Sequence, residues 1–177
     1  GFGRIARRVT EMARAIRLRV CAYDPFVPAA AITAAGATPC AQLPELLAQA
    51  QVLALHAPSG PATRHLIGAA QLAAMPRGAV VINTARGSLL DPAALLAALE
   101  SGHIAGAGLD VWEVEPAPAD HPLLHHPRVV ATPHMAAFTD EGRRRSHTAA
   151  ACYVLEALRG ERPETLLDRT MWERRRR

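Results

Sequence analysis

Apolar positions recur along this chain in two periods. In RIARRVTEMARAI, Ile5, Val9, Met12 and Ile16 fall on one stripe at helical spacing, which predicts a helix with an apolar face. LRVCAYD reads as a short strand ending at Asp24 and stopped by Pro25 and Pro28. AAAITAAG predicts a short helix closed by Gly36, ATPC a weak strand, LPELLAQA a helix and QVLALHAP a buried strand. GAAQLAAM is a short helix ended by Pro76, and GAVVINTA is a continuous apolar strand. LLDPAALLAALESG is the cleanest helix: Asp91 suits its N-cap, Pro92 its first turn and Gly102 its end. IAGAGLDV and RVVATPH predict two more strands. A long helix is expected from Asp140 to Leu158, and beyond Gly160 an extended or frayed tail.

Strands therefore alternate with helices, and the strand cores are unbroken apolar runs. That is the signature of a parallel sheet covered on both faces. The expected fold class is α/β, a doubly wound parallel sheet, forming one domain over 1–160 with a tail over 161–177. Such sheets bind ligands outside the carboxyl ends of their strands. The polar residues of interest all fall at such ends.

Composition narrows the function. Half of the 177 residues are apolar, enough for one domain with a core. No run of about 18 uncharged apolar residues is present, so no membrane span is expected, and no secretory signal is visible. Cys21, Cys40 and Cys152 fit neither a disulfide framework nor a zinc site, which favours a cytoplasmic setting. The net charge of +4 is matched by Arg174–Arg177 alone, so the body is near neutral and no nucleic-acid partner is expected. His121, His125 and His126 cluster in a Pro-rich loop without metal-ligand spacing, and no metal site is expected.

The chain opens Gly-Phe-Gly-Arg-Ile-Ala. Gly1 and Gly3 allow a tight turn and close backbone approach to a pyrophosphate, and the amides of Arg4 and Ile5 stand at a helix N-terminus facing it. Asp24 follows 18 residues after Ala6, at the end of the next strand. There a carboxylate accepts from both adenosine ribose hydroxyls and repels a 2′-phosphate, which favours NAD over NADP. The alternative for Asp24 is an ordinary Asp-Pro turn. A loop of this kind rests on a preceding strand, so the sequence is expected to be an N-terminally truncated piece of a longer protein.

Three further strand ends carry Arg86 (NTARGSLLD), Glu115 (GLDVWEVEP) and His134 (TPHMAA). With GFGRIA, AYDPF and LHAP in the same order, the chain resembles the nucleotide-binding domain of the D-isomer-specific 2-hydroxyacid dehydrogenases over roughly residues 1–165. The resemblance implies a Rossmann-type domain lacking its first strand. It implies that Arg86 binds substrate, that His134 is the general acid/base and that Glu115 pairs with His134. It further implies that Asp110 orients the nicotinamide carboxamide, and that Ala57, Pro58, Thr84 and Ala85 line the cofactor. Alanine at residue 6 replaces the usual third glycine.

The chemistry suits these residue types. Reduction of a 2-keto acid needs a hydride and a proton, and imidazole titrates near neutral pH. A guanidinium fork matches a carboxylate. The implied activity is NAD-dependent hydride transfer on a small D-2-hydroxy acid, in a homodimer, with negligible turnover from this fragment alone. Two rivals remain: a non-enzymatic corepressor of the same fold that responds to NAD(H), and a formate dehydrogenase relative. The latter pairs its histidine with glutamine rather than with a glutamate such as Glu115.

Overall fold

The computed structural model describes residues 1–166 and 168–174; Leu167 and Arg175–Arg177, which include most of the basic tail, lie outside the described residues. The chain divides into two compact units, Gly1–Met135 and Ala136–Arg177, whereas the sequence pattern placed the boundary near 160. In the second unit α6 (Asp140–Leu158) is capped by Thr139, whose side chain accepts from the Gly142 amide, and none of its residues is buried. A short helix, α7 (Arg169–Glu173), stands where the sequence suggested an extended tail. Asp168 starts it by accepting from the amide and hydroxyl of Thr170 at 2.9 and 2.7 Å.

The first unit runs α1 (Arg4–Ala15), β1 (Cys21–Ala22), α2 (Ala29–Ala34), β2 (Thr38–Pro39), α3 (Leu43–Leu47), β3 (Val52–Leu55), α4 (Ala69–Ala73), β4 (Ala79–Asn83), α5 (Pro92–Glu100), β5 (Ile104–Leu109) and β6 (Val129–Ala131). The strands, all paired in parallel as the sequence predicts, make two sheets, β1-β2 and β3-β4-β5-β6. A cavity of about 360 Å³, lined by Ala6, Val20, Ala22, Leu53, Leu55 and His56 among others, lies where β1 and β3 present their second edges. Among the described residues, neither edge is paired.

Register decides where the site lies. Leu55, Asn83, Leu109 and Ala131 form one row across the larger sheet. Because all four strands run the same way, the residues after that row share one rim. Those are His56 and Ala57, Thr84 to Arg86, Asp110, and Thr132 to His134.

The main core lies on this sheet, where Ile67, Val81, Leu89, Leu95, Leu99 and Ile104 are fully buried. Each such side chain contributes about 1.5–3 kcal/mol of burial free energy. Asp91 caps α5 as its sequence predicted, accepting from the amides of Ala93 and Ala94 at 2.9 and 3.2 Å, with Pro92 in the first turn.

The apolar stripe of α1 lies outside the core. Ile5, Val9, Met12 and Ile16 are all exposed, from 40 to 72%. The buried positions are Ala6 and Thr10. Small residues let the helix approach a compact second core of Phe2, Ala22, Ile32 and Ala37. The Thr10 hydroxyl is satisfied within the helix, donating to the Ala6 carbonyl at 2.9 Å.

Candidate active site and dinucleotide loop

The glycine loop sits between the ends of β1 and β3. A methyl on Gly1 would stand 2.6 Å from the His56 carbonyl carbon, so the close approach requires glycine there. Gly3 has nothing within 4 Å of where a Cβ would stand. It is the N-cap of α1, with no side-chain cap and no acidic residue in the first turn. An uncapped helix N-terminus under open space fits a phosphate group, and the amides of Arg4 and Ile5 lie there.

Asp24 holds this loop as well as ending β1's strand segment. Its Oδ2 accepts from the Phe2 amide at 2.7 Å and its Oδ1 from the Phe26 amide at 2.9 Å. Partial burial pushes its carboxyl up, but the amides of Phe26 and Phe2 outweigh that, so it lies below the usual range. The sequence reading assigned Asp24 to a ribose and missed its bond to the loop. His56 follows β3 with its Nε2 buried and unpartnered. Burial pushes its imidazole down.

Arg86 is positioned from β4. Asn83, buried at the end of that strand, donates from Nδ2 to the Arg86 carbonyl at 2.9 Å and accepts the Ala85 amide on Oδ1 at 3.1 Å. Its own carbonyl accepts the Asp110 amide at 3.0 Å. Sequence reasoning passed over Asn83; the available signal was a polar residue closing the apolar run VVIN. Arg86 then starts the single turn Gly87–Leu89, and its guanidinium donates to the Ala85 carbonyl. Thr84 and Ala85 lie in this tie, with Ala57 and Pro58 after the neighbouring β3.

The loops after β5 and β6 meet at Asp110. Its Oδ1 accepts from the Thr132 hydroxyl at 2.5 Å and the Met135 amide at 2.7 Å. Its carbonyl accepts the His134 amide at 2.7 Å. His134 is held there in a left-handed conformation, φ +57°, a position that costs a non-glycine residue about 1–3 kcal/mol and is held by its surroundings. Trp112 helps to clamp the same loop, donating from its indole to the Thr132 carbonyl at 3.1 Å.

Glu115 completes the arrangement. Its Oε2 lies 2.8 Å from His134 Nδ1 and its Oε1 accepts the Trp112 amide at 3.0 Å. The hydrogen bond to His134, then the Trp112 amide, hold its carboxyl below the usual range, and the charge of Arg86 adds to this. Glu115 therefore meets His134 at this rim, with the charge of Arg86 acting on the same carboxylate. His121, His125 and His126 do not converge: each bonds backbone in its own loop, at Leu123, Ala119 and Arg128. Among the described residues, no group of His, Cys, Asp and Glu could hold a metal ion.

Residues 1–136 match the family described as D-isomer specific 2-hydroxyacid dehydrogenase, NAD binding domain. The chain belongs to this family. A D-3-phosphoglycerate dehydrogenase of Methanocaldococcus jannaschii is 39% identical over 168 residues, which cover 95% of this chain and 32% of that protein. An (S)-sulfolactate dehydrogenase of Chromohalobacter salexigens is 43% identical over 145 residues, 82% of this chain and 47% of the relative. The NAD-complexed D-isomer specific 2-hydroxyacid dehydrogenase of Lactobacillus delbrueckii ssp. bulgaricus superposes with a TM-score of 0.84 at 32% identity, over 95% of this chain and 54% of that one. The chain thus spans between about a third and a half of the length of these dehydrogenases. NAD is the cofactor of this domain family, and the uncapped α1 terminus and the open space at Gly3 fit it.

Proposed function

We propose that this chain is the nucleotide-binding part of an NAD-dependent D-2-hydroxyacid dehydrogenase acting on a small 2-hydroxy or 2-keto acid. The observation that carries the reading is the 2.8 Å pair between His134 and Glu115, with Arg86 close enough to bias the same carboxylate. Gly1, Gly3, Arg4 and Ile5 would cradle the pyrophosphate and Asp24 the adenosine ribose. Ala57, Pro58, Thr84, Ala85 and Asp110 would line the path to the nicotinamide, which supplies or accepts the hydride when NAD is bound.

Each of the three rim residues then has one task. Arg86 grips the substrate carboxylate with its planar fork and polarises the neighbouring carbonyl. His134 commits Nδ1 to Glu115, which leaves Nε2 to give a proton to the carbonyl oxygen, or to take it back in the oxidation direction. Glu115, 2.8 Å from Nδ1, fixes the ring's orientation. The exposed Ile5, Met12 and Ile16 on α1 support a homodimer that covers them. No described helix is long and apolar enough to cross a membrane, and we assign the protein to the cytoplasm.

The test is NADH binding, followed by NADH oxidation by the protein that carries this chain, with a panel of 2-keto acids. Oxidation that depends on a 2-keto acid is the expected result. Cofactor binding with no acid supporting oxidation would overturn the reading.

A further inference from the structure

A second histidine near the site has no part in the chemistry above. His65 follows the turn at Pro61–Thr63 and is held at φ +48°. Among the described residues only Arg17, His65 and His134 are non-glycines with positive φ. Two of the three are therefore histidines on this rim. Such a conformation persists only where its surroundings impose it.

Those surroundings are the two loops that carry Arg86 and Glu115. On one side, the His65 amide donates to the Ser88 carbonyl at 2.7 Å, in the turn that begins at Arg86. The Ile67 amide donates to the Leu89 carbonyl at 3.0 Å, and the Asp91 amide returns to the Ile67 carbonyl at 2.9 Å. Residues 65–67 are thus tied by backbone bonds to the Arg86 loop, with Ile67 bridging Leu90. On the other side, His65 Nε2 lies 2.8 Å from Glu113 Oε1, which Arg64 also reaches at 3.1 Å. Glu113 lies one residue beyond Trp112, whose amide binds Glu115.

The two loops are in tight contact where His65 joins them. A methyl on Gly87 would stand 2.0 Å from the Trp112 carbonyl carbon and 2.4 Å from the Glu113 nitrogen. A small shift of one loop is therefore transmitted to the other. Misplacing a reacting group by about 1 Å can cost about 10²-fold in rate.

We propose that His65 is a positioning residue: through Ser88 and Glu113 it staples the Arg86 turn to the Trp112–Glu115 loop and so sets the spacing between guanidinium and imidazole. The catalytic meaning of this role rests on the dehydrogenase reading above. The staple itself does not, and can be tested without turnover.

The experiment compares H65N, H65Q and E113A with the parent protein. Asparagine accepts the left-handed backbone but is too short for Glu113, whereas glutamine can still donate to it. In H65N the NMR titration of the Glu115 carboxyl should move upward, because its partner His134 is no longer held in register. The amide signals of Ser88 and Trp112 should shift with it. E113A, which leaves His65 no acceptor, should reproduce the change from the other side and guards against a folding defect in H65N. H65Q should restore the parent titration.

In an oxidation assay H65N should raise KM for the keto acid and lower kcat about tenfold, with NADH affinity within twofold of the parent. H65N and E113A that leave the Glu115 titration and both amide signals unchanged would overturn the proposal. Absence of turnover in the parent protein would sink the dehydrogenase reading alone, with the carboxyl titration still deciding the staple.

Discussion

Glu115 and His134 meet across two loops, Oε2 to Nδ1 at 2.8 Å, while the other Glu115 oxygen is tied to the Trp112 amide at 3.0 Å. The carboxylate is therefore fixed by its own loop before it reaches the imidazole. Both side chains remain partly open, at 38 and 48% exposure, so the pair serves orientation more than stability.

That geometry has a pH signature. The Glu115 carboxyl is held low chiefly by the hydrogen bond to His134. A carboxyl depressed in the folded state stabilises it above the unfolded pKa, and that contribution is lost as pH falls through the folded value. The pair should therefore be intact at neutral pH and open only below the ordinary glutamate range, about 4.3. A carboxyl NMR titration reads this directly. In activity, E115Q should lower keto-acid reduction by roughly 10²-fold, measured as NADH oxidation at saturating cofactor.

Arg86 should separate from cofactor binding. R86L removes the fork that matches a carboxylate, so KM for the acid should rise and kcat should fall, together by roughly 10²–10⁴ in kcat/KM. Fluorescence titration should find NADH affinity unchanged within a few-fold. A comparable loss of NADH binding would mean that Arg86 serves the dinucleotide instead.

Asp24 should report on both of its duties. D24A should weaken NADH binding and relax rejection of NADPH, compared by parallel titrations. It also deprives the Phe2 amide of its acceptor, so the thermal midpoint should fall by an amount reflecting about 1–2 kcal/mol. Because the Asp24 carboxyl lies below its usual range, its contribution to stability is present above about pH 4 and fades as the solution is made more acidic.

Asn83 should behave as a structural anchor of the catalytic turn. N83A leaves the Arg86 carbonyl and the Ala85 amide, both partly buried, without their partner. Unfolding by urea should show a loss of about 1–3 kcal/mol. G87A should be harsher on activity than on cofactor binding, since the added methyl must displace the Trp112 loop.

Local chemistry made much of this molecule legible from its residues alone. The capped helix α5, the parallel alternation and the rim location of Arg86, Glu115 and His134 all follow from apolar period, cap residues and strand ends. Beyond the Glu115–His134 pair that the family resemblance implied, side-chain partners over long sequence separations were not legible. Asp24 reaches Phe2 across 22 residues and His65 reaches Glu113 across 48, and no periodicity encodes such pairings.

The α1 stripe marks the same boundary. Its apolar spacing determined that Arg4–Ala15 is helical and two-faced, but the fold buried the Ala6–Thr10 face because small side chains permit close packing, leaving the larger ones exposed. Period and caps act within a few residues, so the sequence by itself determined the elements and their order. Which face is buried, how the sheet divides and which loops touch depend on packing between distant segments, and only the tertiary structure decided those.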